Sequence, residues 1–321
     1  MIVFSFKNFL GFISIIFLIL MSGSLLSKIE PYSNLLNFIF IFIFIFNTIY
    51  LNTKIYRNNF FKYILVFILF IFFCFLVNMD LLGIKTYLWL IINILFAYYI
   101  ILILDVDKIS KYFINIILFL SLTSLLGFYF PNLFNFLNSK IFFRDQLYNF
   151  FWFFGSIDNV EYRNFSIFIE PGLYQVFLSF ALLLLIFKNR YKYLYIFFIS
   201  WALFTTSSTS GYLILIIYIC IYMISSRLYV KLFLLPVLLS FLYFFYSMVY
   251  ENVNDKFFGL QKESSLQRII STKADLNVFY DNPILGVGFG NYISEIERRG
   301  IYLDSATNTY TQILAIMGIF N

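Results

Sequence analysis

The chain has no histidine. That absence removes the commonest acid–base group at neutral pH, every His-ligated metal site and any Ser-His-Asp arrangement. There are 2 cysteines, Cys74 and Cys220, both inside apolar runs. They supply neither a disulfide framework nor metal-ligand spacing, and no metal or other cofactor is expected. Charge is scarce: 12% of residues are Asp, Glu, Lys or Arg, against roughly 25% in soluble domains. A soluble fold is therefore excluded. The formal net charge is +6, but no basic run or RNA-binding signature accompanies it, so no nucleic-acid partner is expected. No ionisable residue lies deep in an apolar run, whereas ion-coupled transporters place carboxylates or bases along their pathways. No internal repeat with matching broken helices is present.

What the chain has is apolar length. It is 62% hydrophobic, with 47 Phe and 26 Tyr, read as lipid-facing bulk and interface belts rather than a ligand platform. Runs of about 20 residues span a bilayer core as helices. Such runs fall at 8–27, 33–51, 60–78, 86–104, 111–130, 172–187, 193–206, 211–225 and 229–250, the seventh and eighth being short. Pro236 is placed to kink the ninth. A further run begins near Ala306. It reads either as interfacial or as the start of another span in a longer chain, and the second reading is favoured. Lys7 precedes a long apolar run with no A-x-A cleavage pattern, which reads as an uncleaved first helix. The expected fold is all-α, a polytopic integral membrane helical bundle of about ten or more transmembrane helices with two long outward-facing loops.

Five regions follow: a five-helix membrane region over 1–130, a first long loop over 131–171, a four-helix region over 172–250, a large loop with an amphipathic helix over 251–305, and the start of a final membrane region over 306–321. Basic residues in short loops set orientation. One set holds Lys7; Lys54, Arg57 and Lys62; Lys108 and Lys111; Lys188, Arg190 and Lys192; Arg227 and Lys231. The alternate set holds only Lys28 and Lys85. The expected placement is a cytoplasmic (inner) membrane of a bacterial type, with the N-terminus inside and both long loops periplasmic or extracellular.

The long loops break the rhythm. The first carries an aromatic stretch around Trp152, read as an amphipathic or re-entrant interfacial segment, and ends on Arg163 and Glu170 flanking a short apolar run. Those two charges are either plain interface residues or an Arg and a carboxylate held at membrane depth beside a lipid-borne substrate. The second loop holds Arg268, an amphipathic stretch over 269–280, and the turn NPILGVGFGN from Asn282 to Asn291. Asn-Pro marks a turn and the glycines permit close backbone approach. The spacing is neither a P-loop nor a dinucleotide fingerprint. Arg298-Arg299 and Asn308 follow.

Four pieces in order resemble the bacterial O-antigen polymerase and ligase superfamily. They are the Arg163-led segment running into Pro171, the small-polar turn from Thr205 to Gly211, the Arg268-to-Asn291 helix and turn, and Asn308-Thr309-Tyr310 running on to Gly318. The likeness covers about half the chain, and its specific part is NPILGVGFGN followed by NTYTQILAIMGI. Two features depart from the pattern. Thr209-Ser210-Gly211 lacks the Arg that many members carry, and Thr307 stands where the ligase branch carries an outer-loop His. The second departure favours the polymerase.

The resemblance implies a metal-independent membrane glycosyltransferase. Its donor and acceptor are undecaprenyl-diphosphate-linked oligosaccharides held in membrane lipid, with a chain-length regulator and a flippase as candidate partners. Under it, Arg163 and Arg268 hold diphosphate, with Arg298 or Arg299 as a third cation. Glu170 orients or activates the acceptor, with Asp281 in reserve, and Asn308 binds sugar or diphosphate oxygen. Each has a plain alternative: Arg298-Arg299 as a solvated or headgroup-binding pair, Asn308 as a helix N-cap, and Asp281 as a turn former. The competing functions are O-antigen ligase, lipid-linked oligosaccharide flippase, and a non-catalytic member of an export complex.

Overall fold

In a computed structural model, the residues described are 6–28, 32–51, 59–78, 83–130, 140–143, 146–149, 163–187, 193–225, 262–299 and 309–319, with single positions between 235 and 250. Eleven α-helices are assigned among them. They are α1 (Phe6–Met21), α2 (Tyr32–Leu51), α3 (Asn59–Asn78), α4 (Ile84–Ile103), α5 (Val106–Tyr129), α6 (Pro171–Phe187), α7 (Tyr193–Thr205), α8 (Thr209–Ser225), α9 (Lys262–Asp281), α10 (Asn291–Arg298) and α11 (Thr309–Met317). Within the ninth expected span, Leu235, Pro236, Leu239, Leu242, Tyr243, Tyr246 and Tyr250 are helical and exposed.

In α1 to α8 apolar residues fill most faces, whereas α9 and α10 carry charged and polar residues on their outer faces. Where a face is apolar all round, the helix must be buried in protein or in lipid. Here many such side chains point outward: Phe38, Val66 and Leu194 are 70%, 63% and 70% exposed. A water-soluble surface rarely carries apolar patches of that extent, so the protein is a membrane protein. By length and composition, Ile84–Ile103 and Val106–Tyr129 are able to cross a bilayer, and six shorter apolar helices accompany them among the described residues.

One local element departs from an all-helical expectation. Lys140–Phe143 (β1) and Gln146–Asn149 (β2) pair antiparallel, Lys140 opposite Asn149 and Phe143 opposite Gln146. The aromatic stretch around Trp152 lies outside the described residues.

The chain divides into two compact units. The first comprises residues 1–51 and 99–246, the second 52–98 and 247–321. In the first, α5 packs on α1, α6 and α7, and α6 packs on α7 and α8. The buried stripe of α5 is Ser110, Ile114, Ile117, Leu120, Ser121, Ser124 and Leu125, spaced as one helical face. Its serines satisfy themselves by donating to carbonyls one turn back, Ser110 to Val106 and Ser121 to Ile117, both at 2.7 Å. In the second unit, α9 packs on α10 and α11. Their core is Ala274, Val278, Val287, Tyr292, Ile296, Ala315, Ile316 and Met317, with Ile71 from α3 and Tyr87 from α4.

Candidate functional site

In the first unit, residues 163–170 enter the helices as an irregular segment. Asn164 through Phe168 are buried, Arg163 is half-buried and Glu170 is exposed. Buried irregular backbone must find partners, and side chains supply them. The Asn164 amide Nδ2 donates to Ser124 Oγ on α5 at 3.0 Å and to Thr205 Oγ1 on α7 at 2.9 Å. The Asn164 backbone N–H donates to the Thr205 carbonyl at 2.9 Å, and Asn164 Oδ1 accepts from the Ser166 N–H at 3.1 Å. Ser124 Oγ and the Tyr174 hydroxyl lie 3.0 Å apart. Phe168 stacks on Tyr174 and Phe177 of α6, with ring centroids 5.6 and 4.7 Å apart. On its other side the Ile169 N–H donates to the Gly23 carbonyl.

Ser166 has φ +47°, and so does Ser207 nearly, at +49°. A non-glycine residue keeps that left-handed backbone only where its surroundings hold it. The segment then turns into α6. Pro171 takes the first helical position, where a missing N–H costs nothing. The Glu170 carbonyl accepts from the Leu173 and Tyr174 N–H groups. Arg163 and Glu170 are thus the two ends of one anchored segment.

The small-polar turn after α7 is tied to α6. Ser210 Oγ donates to Gln175 Oε1 at 2.9 Å, and Gln175 Nε2 donates to Ser179 Oγ at 3.2 Å. Thr205 and Thr206 are buried and hydrogen-bond within the first unit.

In the second unit the glycine-rich turn has a partner, and it is protein. The Val287 and Gly288 N–H groups donate to the Ala315 and Ile316 carbonyls at 3.0 and 2.9 Å, and the Ile319 N–H donates to the Pro283 carbonyl at 2.8 Å. A Cβ on Gly286 (φ +63°) would lie 2.2 Å from the Ile316 backbone, and one on Gly318 (φ +75°) 2.2 Å from Ile284 O. The motif is a clasp on the C-terminal end of α11. Its last residue, Asn291, donates from Nδ2 to the Asn78 carbonyl of α3 at 3.2 Å.

The remaining sequence candidates are placed as follows. Arg268 lies on α9, and its side chain is outside the description. Asn308 lies outside the described residues. Asp281, the last residue of α9, pairs with Arg299 at 2.5 Å, the side chains being 60% and 24% exposed. Arg298 instead pairs with Glu295 one turn back at 3.3 Å and is 75% exposed. The two adjacent arginines are therefore unlike: Arg298 is solvated, whereas Arg299 ties the end of α10 to the end of α9. Arg163 and Glu170 belong to the first unit and the other candidates to the second.

Sequence reasoning passed over Asp275. Its carboxylate is fully buried beside Ala274 and Val278. The Tyr292 hydroxyl donates to Oδ1 at 2.5 Å and Thr311 Oγ1 donates to Oδ2 at 2.7 Å. Burial raises the Asp275 pKa above the ordinary carboxylate value, and the two donated hydrogen bonds oppose that only in part. Burial also raises the Tyr292 pKa, reinforced by the adjacent carboxylate. A signal was present: Ser271, Ala274, Asp275 and Val278 share one face at helical spacing, a small and polar stripe facing inward. Among the described residues, no three His, Cys, Asp or Glu side chains gather as a metal-ligand set.

None of the curated proteins and none of the solved structures matches the chain. Residues 194–320, under half of the chain, match the family model described as O-antigen ligase. That stretch runs from α7 through the small-polar turn, α9 and its glycine clasp to α11, and over it the protein is similar to the O-antigen ligase and polymerase superfamily.

Proposed function

We propose that this protein is a surface-polysaccharide repeat-unit polymerase. The growing glycan moves from undecaprenyl diphosphate to the non-reducing-end hydroxyl of a new lipid-linked repeat. The observation that carries the reading is the O-antigen ligase match over residues 194–320, in a chain whose helices present apolar side chains outward. A lipid-borne substrate needs such a host.

In this reading the acceptor oxygen attacks the anomeric carbon of the growing chain. The bond from that carbon to the phosphate oxygen breaks, and the diphosphate leaves with the electron pair. Arg163 and Arg268 neutralise the leaving group through paired N–H donors, a geometry that suits phosphate oxygens. Glu170, exposed at the start of α6, takes the acceptor proton. Asp281 is already paired with Arg299 and is the weaker choice for that task. Asn308 contacts sugar or diphosphate oxygen, and Arg298, the more exposed cation, meets lipid headgroups or diphosphate. The site faces the periplasm or cell exterior, with the N-terminus in the cytoplasm, and a chain-length regulator and a flippase work beside it.

The family description favours a second reading, O-antigen ligase, in which finished glycan moves to a final acceptor. The chain's lack of histidine sets the polymerase ahead. The test is substitution. Each transition-state contact of this electrostatic kind contributes about 3 kcal/mol, so Arg163→Ala and Arg268→Ala should each cut polymer yield by about 100-fold with protein level unchanged. Normal polymer length and yield in both variants would refute the assignment.

A further inference from the structure

We propose that Asp275 is a positioning residue that fixes the first turn of α11 against α9. The inference rests on the polymerase reading, in which Arg268 on α9 and Asn308, just ahead of α11, engage substrate.

The geometry has three parts. First, the carboxylate joins three elements: Asp275 is on α9, Tyr292 on α10 and Thr311 in the first turn of α11. Each oxygen accepts one hydroxyl, so the carboxylate's rotation is set from both sides. Second, these partners are neutral hydroxyls, and beside the buried Ser271 the residues packed around them are apolar. Well-packed apolar residues serve stability there at least as well as a buried carboxylate, so the role that remains for it is directional. Third, the far end of α11 is held independently. The backbone clasp from Val287 and Gly288 to Ala315 and Ile316 involves no side chain of the first turn. Loss of the Asp275 contact therefore frees one end of α11 and leaves the other docked.

Arg268 lies about two helical turns before Asp275 on the same helix, and Asn308 lies within one turn's length of Thr311 along the chain. The Asp275–Thr311 bond sets the register between the two segments that carry them. Tyr292 braces the carboxylate from α10.

The experiment uses the full-length protein in lipid and compares Thr311→Val, which keeps shape and loses the donor, with Thr311→Ser, which keeps the donor. Two readouts are taken: amide hydrogen exchange along α11, and the polymerisation rate on lipid-linked repeats, with Arg268→Ala alongside. In Thr311→Val, exchange in the first turn of α11 should rise about tenfold with the last turn unchanged, and the rate should fall about tenfold, the scale of a hydrogen bond to a charged group. Thr311→Ser should restore both to within about twofold. Wild-type exchange and rate in Thr311→Val, beside an inactive Arg268→Ala, would overturn the positioning role and leave the polymerase intact. Faster exchange over the whole of α9 and α11 would also overturn it, by showing a purely structural contact. If Arg268→Ala is silent, and Arg163→Ala with it, the site assignment of the polymerase reading fails, and the exchange pattern alone decides whether Asp275 holds α11.

Discussion

Asn164 and Asp275 are uncelebrated residues in the sequence, one an amide beside an arginine, the other a carboxylate inside a helix. Each is fully buried and each joins three elements. Replacing Asn164 with Ala leaves Ser124 and Thr205 without their shared donor, and should destabilise the protein by about 2 kcal/mol, read as a lowered Tm in a fixed detergent. Asp275 has a pH signature. Burial raises its folded pKa above the ordinary carboxylate value, so the folded state holds the proton more tightly than the unfolded chain. Its contribution is full below the ordinary carboxylate pKa and is lost as pH rises through the raised value. Asp275→Asn should therefore flatten stability against pH across that window, most visibly at its alkaline end. A wild-type profile in the variant would contradict this. The sequence pointed instead to Arg163, next to Asn164, and to Asp281, which stands at the end of α9 just before the Asn-Pro turn. Asn164 was not legible, since its partners Ser124 and Thr205 are distant in the chain.

The helices were legible almost throughout, because apolar runs bounded by polar residues leave few alternatives once the solvent is lipid. Residues 60–78 read as a span fold as Asn59–Asn78, and 193–206 as Tyr193–Thr205. The β1–β2 hairpin was hidden, as its strands are four residues each and their pairing is a property of the backbone. The glycine-rich turn was located correctly as a site of close approach, but what approaches is α11. Local pattern marks where a backbone can be reached and not by what. Gly286→Ala and Gly318→Ala should each cost at least about 2 kcal/mol, because a left-handed backbone and a clash with backbone atoms act together. Gly172→Ala is the matched control: a Cβ there meets nothing within 4 Å, and the change should stay within about 0.5 kcal/mol. Tm measurements on the three variants check the contrast.

The protein as a whole is organised by its solvent. Outward Phe, Leu and Ile side chains on the helices of both units suit lipid, and three serines and a glycine are interspersed with Ile and Leu along the inward stripe of α5. Small residues let helices approach closely where burial alone provides no driving force between them. Membrane residence was legible from composition, and the orientation proposed from loop Lys and Arg follows the same physics. Reporter fusions should place the Lys188–Lys192 loop in the cytoplasm and the segment around Arg298 outside. The reverse pattern would remove a lipid-linked glycan on the outer face as substrate. The most direct measurement is a gel ladder of surface polysaccharide from cells with and without the intact gene. A polymerase requires that deletion abolish the ladder and leave a single repeat on its final acceptor. An unchanged ladder, or long glycan still on undecaprenyl diphosphate with none transferred, would contradict it.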